Sequence, residues 1–195
     1  MKRIALPPSF NDRIFLALVH YPVYNKERDT IASALTTIDI HDFSRIARTY
    51  QLGGVWIVTP LKSQKDLLDR MVNHWTRGFG ATYNPNRKDA LQVLEQADTV
   101  DEMTDKIHHA TGKDVKSVAT SARSFPHSIP IHILSETINQ SPDTFVLLFG
   151  TGWGLSETLI EKCEWVLTPI RPYGYNHLSV RSAAAIICDR LIGEE

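Results

Sequence analysis

Three stretches of this chain are apolar from end to end: Ile14-Phe-Leu-Ala-Leu-Val19, Gly54-Val-Trp-Ile-Val58 and Phe145-Val-Leu-Leu-Phe149. A strand with one face in water alternates apolar and polar residues, so an unbroken apolar run implies a strand buried on both faces. Between such runs the pattern turns amphipathic at helical spacing. Phe43, Ile46, Ala47 and Tyr50 share one face of a helix that Asp42 could cap and Gly53 could stop. Leu67, Leu68, Met71 and Trp75 do the same in a helix opened by Ser63. Thr99-Val-Asp-Glu102 matches a capping box for a helix ending at Gly112. Residues 131–140, 155–162 and 178–192 read as further helices, and 90–94, 115–120 and 165–168 as further strands. Strands alternating with helices predict an α/β fold, a mostly parallel sheet with helices on both faces. No repeat, low-complexity segment or linker interrupts the pattern, so one domain over residues 1–195 is expected.

Composition narrows the function classes. The formal net charge of −1 argues against a chain coated in positive charge to hold nucleic acid, while leaving a local basic patch open. Cys163 and Cys188 are the two cysteines. Both fall in helical, mostly apolar surroundings without metal-ligand spacing, which reads as buried core thiols rather than catalytic ones; no metal is expected. The opening Met1-Lys-Arg-Ile-Ala-Leu-Pro-Pro lacks the apolar region of a signal peptide, and no apolar stretch is long enough to cross a bilayer. A cytoplasmic protein with reduced thiols and no membrane partner is the expectation.

The residues that point to a ligand lie late in the chain. Phe149-Gly150-Thr151-Gly152-Trp153-Gly154-Leu155 leaves the last long apolar run, and Trp165-Val-Leu-Thr-Pro-Ile170 opens into Tyr173-Gly174-Tyr175-Asn176-His177-Leu178-Ser179. Two strand ends with Gly and small polar residues suggest a pocket built mainly from backbone, because glycine lets backbone N–H and C=O approach a ligand closely. A dinucleotide fingerprint would read Gly-x-Gly-x-x-Gly in a first βαβ unit with an acid after the next strand. Here the third glycine is one place early, the unit is the second-last, and Glu161 and Glu164 precede the following strand, so NAD is disfavoured. A tight turn without a ligand is the other reading of this cluster alone.

Taken together, the two clusters resemble the SPOUT class of S-adenosylmethionine-dependent RNA methyltransferases, whose signature is a Phe-Gly-x-x-x-Gly-Leu turn, a strand ending in Ile-Pro or similar, a short loop and an Asn-x-Ser type helix start. This chain has Phe149 to Leu155, then Thr168-Pro-Ile170, then Asn176-His-Leu-Ser179. It is most similar to the small bacterial SPOUT group whose genes tend to accompany the tRNA guanine-N1 methyltransferase. The resemblance implies a C-terminal trefoil knot over about residues 145–192, an exception to the rule against knots. It implies S-adenosyl-L-methionine as methyl donor, S-adenosyl-L-homocysteine as product, and tRNA or rRNA as substrate. It also implies a homodimer in which the 178–192 helix is an interface element. Backbone near Leu148, Ile170 and Leu178 would meet the adenine, and Gly150, Thr151, Gly152 and Gly174 the ribose and methionine parts. Phe149, Trp153, Gly154, Tyr173, Asn176, His177 and Ser179 complete the implied donor site.

The acceptor side is less sharply marked. Arg48 aligns with an arginine that engages the acceptor hydroxyl in some SPOUT ribose methyltransferases, and Asp42 stands where their motif has Asn. That departure leaves the acceptor atom open. A surface arginine, or one that clamps an RNA phosphate, is the other reading of Arg48. Residues 77–87 read as a loop by composition, and with His74, Arg77, Tyr83 and Arg87 they mix aromatic and basic groups suited to unpaired RNA. An ordered surface loop is the plain alternative, and Trp75 reads as core. Arg123 is a weaker RNA candidate of the same kind. His108 and His109 read as a solvated face, whereas His20 and His177 lie near strand or knot ends. The rival function is a non-catalytic RNA-binding or regulatory protein that keeps the fold and the pocket. An acceptor-activating group separates the two.

Overall fold

A computed structural model describes residues 11–192. The reading of residues 1–8 as free of a signal region lies outside the described residues. In chain order the elements are β1 (Ile14–Val19), β2 (Val23–Tyr24), β3 (Thr30–Ile31), α1 (Thr37–Thr49), β4 (Gly54–Val58), α2 (Lys62–Thr76), α3 (Phe79–Tyr83), α4 (Pro85–Leu91), β5 (Leu94–Ala97), α5 (Val100–Thr111), β6 (Val115–Ala119), β7 (Ser128–Ile129), α6 (Ile131–Gln140), β8 (Thr144–Gly150), α7 (Glu157–Ile160), β9 (Trp165–Leu167) and α8 (Val180–Ile192).

Seven strands form one parallel sheet in the order β5-β4-β1-β8-β6-β9-β7, and β2 and β3 form a separate antiparallel hairpin. The three apolar runs are the three adjacent central strands. Their residues divide between two cores. Ile14, Leu16, Leu18, Val55, Ile57, Phe145, Leu147 and Phe149 pack with α1, α2, α6 and α8. Ala17, Val19, Trp56, Val58, Val146 and Leu148 pack on the other face with α5 and α7. Successive side chains of a strand point to opposite faces, so a sheet covered on both sides removes the need for polar alternation.

The last third of the chain is ordered differently from a simple winding pattern. β8 inserts between β1 and β6, and β9 is then laid outside β6. From there residues 168–179 run against the 120–129 segment. Thr168 N–H donates to the Ile129 carbonyl at 3.0 Å, and Asn176 Nδ2 donates to the Ala122 carbonyl at 2.8 Å. α8 then returns to pack on α1 and α6.

Several boundaries differ from the sequence expectation. α1 starts five residues before Asp42, capped by Thr36, whose hydroxyl accepts the Asp39 N–H; Thr36-x-x-Asp39 is the stronger cap. Gly53 does not stop this helix. Gln51 takes the left-handed position at φ 55°, and a Cβ on Gly53 would lie 2.5 Å from the Asp12 carbonyl. The expected 77–87 loop is α3 and the start of α4, because Asn84 caps the Arg87 N–H and Pro85 opens the helix. The expected 90–94 strand moves accordingly: Ala90 and Leu91 are buried ends of α4, and the strand is Leu94–Ala97. The 155–162 helix shortens to Glu157–Ile160. Neither thiol is activated. Burial pushes Cys163 up to about 11 and Cys188 to about 12.

Candidate functional site

The site begins where β8 ends. Gly152 and Gly154 adopt φ of 58° and 98°, and Gly154 N–H donates to the Thr151 carbonyl at 3.0 Å. The β2–β3 hairpin is bonded directly onto this turn: Tyr24 N–H to Gly154 O and Trp153 N–H to Tyr24 O, each 2.9 Å. Side chains are excluded here by backbone. A Cβ on Gly150 would lie 2.4 Å from the Leu155 nitrogen, and one on Gly152 would lie 2.9 Å from the Tyr24 carbonyl. Gly154 and Gly174 are left-handed but open, with nothing within 4 Å of an added Cβ.

Around the turn lies a cavity of about 760 Å³, within the size range of small-molecule sites. Three backbone stretches from the end of the chain enclose it, around 149–155, 167–170 and 176–181, and the 33–39 and 120–123 segments complete it. Phe149, Leu155, Leu167, Ile170, Leu178, Val180, Ala183 and Ile187 are its apolar lining, and Ser33, Thr36, Asp39, Thr120, Thr151 and Ser179 add polar groups. That combination fits a ligand that carries both an aromatic ring and hydroxyl or charged groups.

Most of the expected donor residues meet here: Phe149, Gly150, Thr151, Gly152, Trp153, Gly154, Ile170, Asn176, His177, Leu178 and Ser179 all line the cavity. Leu148, Tyr173 and Gly174 do not. Leu148 is fully buried, and its carbonyl is already taken by the Thr120 N–H at 3.1 Å and hydroxyl at 2.9 Å. Tyr173 is turned to solvent. Two lining residues have structural duties as well. Asn176 spends its amide on Ala122, and the Ser179 hydroxyl accepts the Ser182 N–H at 3.2 Å at the start of α8.

The cavity also gathers charged residues: Asp39, Arg181, Arg28 and Glu157 were missed by the sequence reading, whereas Asp42, Arg123 and His20 were among its candidates. Asp39, buried at the first turn of α1, pairs with Arg181 of α8 and accepts the Thr36 hydroxyl at 2.5 Å. Arg181 Nε also lies 3.3 Å from Asp42, so Asp42 reaches the site through this arginine. At the mouth, Arg28 and Arg123 converge on Glu157, at 2.7 and 2.9 Å. The two guanidinium groups, Arg28 first, hold the Glu157 carboxyl below its ordinary range. Behind the wall, His20 Nδ1 lies 2.9 Å from the Ser33 hydroxyl, which contacts the Thr151 hydroxyl, which donates to the Val19 carbonyl at 3.0 Å. Burial lowers the His20 imidazole to about 4, against the opposing charge of Asp39, so it is neutral at pH 7. Among the missed groups, the Thr36-x-x-Asp39 cap was the local signal that could have found Asp39; Arg181, Arg28 and Glu157 come together from distant positions.

The remaining candidates lie elsewhere. Arg48 is ion-paired with Asp89 of α4 at 2.6 Å and does not line the cavity. His74, Arg77, Tyr83 and Arg87 lie along α2 to α4, also outside the lining. Arg87 covers the Trp75 ring at 4.2 Å, while Tyr83 stacks on Phe79 at 6.0 Å with both rings largely exposed. Among the described residues no group of three His, Cys, Asp or Glu side chains could hold a metal ion. No described helix is long and apolar enough to cross a membrane.

Residues 13–193 match the model of a family described as SAM-dependent RNA methyltransferase. A tRNA (guanine-N(1)-)-methyltransferase of Oleidesulfovibrio alaskensis is 44% identical over 182 residues, which is 93% of this chain and 42% of that protein. The chain thus spans less than half the length of this relative. An uncharacterized protein of Aquifex aeolicus is 36% identical over 93% of this chain and 89% of its own length. The SpoU methyltransferase AviRb of Streptomyces viridochromogenes, solved in complex with AdoMet, shares the fold at a TM-score of 0.55 and 12% identity, over 97% of this chain and 59% of that one. The fold, the glycine turn and the family match over nearly the whole sequence agree: the chain belongs to the SAM-dependent RNA methyltransferase family, in the SPOUT class of knotted α/β proteins.

Proposed function

We propose that the cavity at the end of β8 holds S-adenosyl-L-methionine and that the chain directs methyl transfer from it to tRNA or rRNA. The observation that carries this reading is the cavity's composition. The apolar lining, with Leu167, Ile170, Leu178 and Ile187, suits the purine, and the glycine turn with Ser33 and Thr151 suits the ribose and methionine portions. Bound there, the donor supplies an electrophilic methyl group and leaves as S-adenosyl-L-homocysteine. The chain's own work is to orient the acceptor and exclude water. Arg181, fixed between Asp39 and Asp42, is the cationic group lining the cavity from α8 and is the first acceptor-side candidate. Arg48, on the same helix as Asp42, remains the second through the family resemblance.

The same reading takes in the surroundings. Phe79, Tyr83, His74 and Arg77 are exposed and Arg87 is half-buried over Trp75, an aromatic and basic stretch suited to unpaired RNA. Trp153, Tyr173, Tyr175 and Leu178 are exposed around the cavity mouth and its loop, which favours a homodimer that covers them. One domain over residues 1–195 in the cytoplasm completes the proposal. The guanine-N1 activity in the relative's name is not carried over, because more than half of that protein lies outside the match. One observation favours the non-catalytic reading: Arg48 and Arg181 are both neutralised by carboxylates.

Titration calorimetry with S-adenosylmethionine, followed by transfer of labelled methyl to RNA from a strain lacking the gene, tests this. Binding and incorporation are expected. No binding at millimolar donor sinks the methyltransferase reading, and binding without incorporation favours the rival.

A further inference from the structure

Arg28 and Arg123 come from separate parts of the chain and meet at one carboxylate on the rim of the cavity. Both line the cavity, and both bond the same oxygen of Glu157. Two cations on one anion leave a net positive charge at the mouth. Each guanidinium sits near an aromatic ring: Arg28 Cζ lies 4.4 Å from the Tyr24 ring centre, and Arg123 Cζ lies 5.4 Å from that of Phe125. Planar, pre-oriented guanidinium groups are the donors that match an oxyanion at two points. The three side chains are each about half exposed, so an outside group can reach them.

Arg28 also holds an unfavourable conformation. It is a non-glycine residue at φ 71°, at the tip of a hairpin closed by Asn25 N–H to the Asp29 carbonyl at 3.0 Å. Asn25 and Asp29 lock that tip by two further bonds, one of 2.8 Å and one of 3.0 Å. Positive φ is uncommon for a non-glycine residue, and the hydrogen bonds between Asn25 and Asp29 hold it here. The hairpin that carries it is bonded to the glycine turn through Tyr24, so Arg28 is set in fixed register with the cavity wall.

We propose that Arg28 and Arg123 clamp a phosphodiester of the RNA strand that enters the cavity, and that Glu157 occupies the clamp until the strand displaces it. The clamp rests on the reading of this site as an RNA methyltransferase. A phosphodiester presents two non-bridging oxygens, one for each guanidinium, where both arginines now share a single oxygen of Glu157. Glu157 keeps the arginines together and lowers the affinity for unrelated anions.

The test compares the wild type with Arg28→Gln, Arg123→Gln, Glu157→Gln and the charge-retaining Arg28→Lys. Affinity for a labelled random-sequence RNA oligomer is measured by anisotropy over a salt series, and S-adenosylmethionine affinity by calorimetry. Each arginine-to-glutamine variant is expected to weaken RNA binding by about 10-fold at low salt and to reduce the salt slope by about one. Glu157→Gln is expected to tighten RNA binding, Arg28→Lys to fall between wild type and Arg28→Gln, and RNA affinity to change more than donor affinity in each variant. Loss of donor affinity with RNA affinity intact would make the donor's own carboxylate the guest and overturn the clamp. RNA affinity unchanged in all variants, or weakened by Glu157→Gln, also overturns it. Methyl transfer with unaltered RNA affinity across the series sinks the clamp alone. Salt-dependent RNA binding that responds to the variants, without any donor binding, sinks the methyltransferase reading and leaves the clamp standing.

Discussion

The turn at residues 150–154 and the segment at 77–91 are both rich in glycine and small polar residues, yet they are built on different principles. In the turn, backbone packs on backbone, and Gly150 and Gly152 sit where a Cβ would strike a neighbouring main-chain atom. In the segment, side chains decide most of the structure, although a Cβ on Gly78 would also lie 2.8 Å from a main-chain atom, the His74 carbonyl. Asn84 and Pro85 start a helix, Arg87 covers Trp75, and Arg48 ties α1 to α4 through Asp89. A backbone-built feature leaves a residue-type signature because only glycine tolerates it. A feature built from side-chain partners leaves little, because its partners are far apart in sequence.

The largest effect should come from breaking the backbone turn. Gly150→Val is expected to reduce S-adenosylmethionine affinity by about 100-fold or more by calorimetry, since its Cβ meets main-chain atoms that cannot move aside. Gly112→Ala is the control. That glycine is left-handed at φ 67° but faces open space at the end of α5, so only about 1 kcal/mol of stability should be lost, with donor affinity unchanged. Equal loss of donor affinity in the two variants would break the contrast.

His20 offers the next test, through pH. Its imidazole falls from 6.5 to about 4 on folding, so the unfolded chain binds the proton more readily. The contribution is complete above pH 6.5 and is lost as pH falls toward 4, amounting to at most about 3 kcal/mol. His20→Asn should flatten the fall of stability between pH 6.5 and 5 in denaturant melts; an unchanged slope removes His20 from the account.

Arg181→Met should cost about 2 kcal/mol, because it leaves the buried Asp39 carboxylate without its cation, while the one-third exposure of Arg181 keeps the loss below that of a fully buried pair. Adding Asp39→Asn should restore part of it. The smallest effect on stability belongs to Arg48→Ala, about 0.5 kcal/mol, since its pair with Asp89 is partly solvated. Donor affinity should be unchanged and methyl transfer reduced. Full transfer by this variant would end the acceptor-side role of Arg48 and leave Arg181 alone in it.

How much was legible follows from the range of each interaction. The three apolar runs by themselves determined a sheet covered on both faces, because burial on two sides is written residue by residue. The Thr99 cap and the left-handed Gly112 were equally local. The glycine turn and the Asn176–Ser179 segment marked the pocket, because close backbone approach and a helix start each demand particular residue types. Helix limits at Thr36, Asn84 and Gln51 were missed where two local signals competed and packing chose between them. Tertiary structure alone joined Asp39 to Arg181 and Arg28 to Arg123 through Glu157, and it alone left Arg48 outside the cavity lining. An ion pair fixes two charges in space but puts no constraint on the residues between them, so no pattern along the chain announces it.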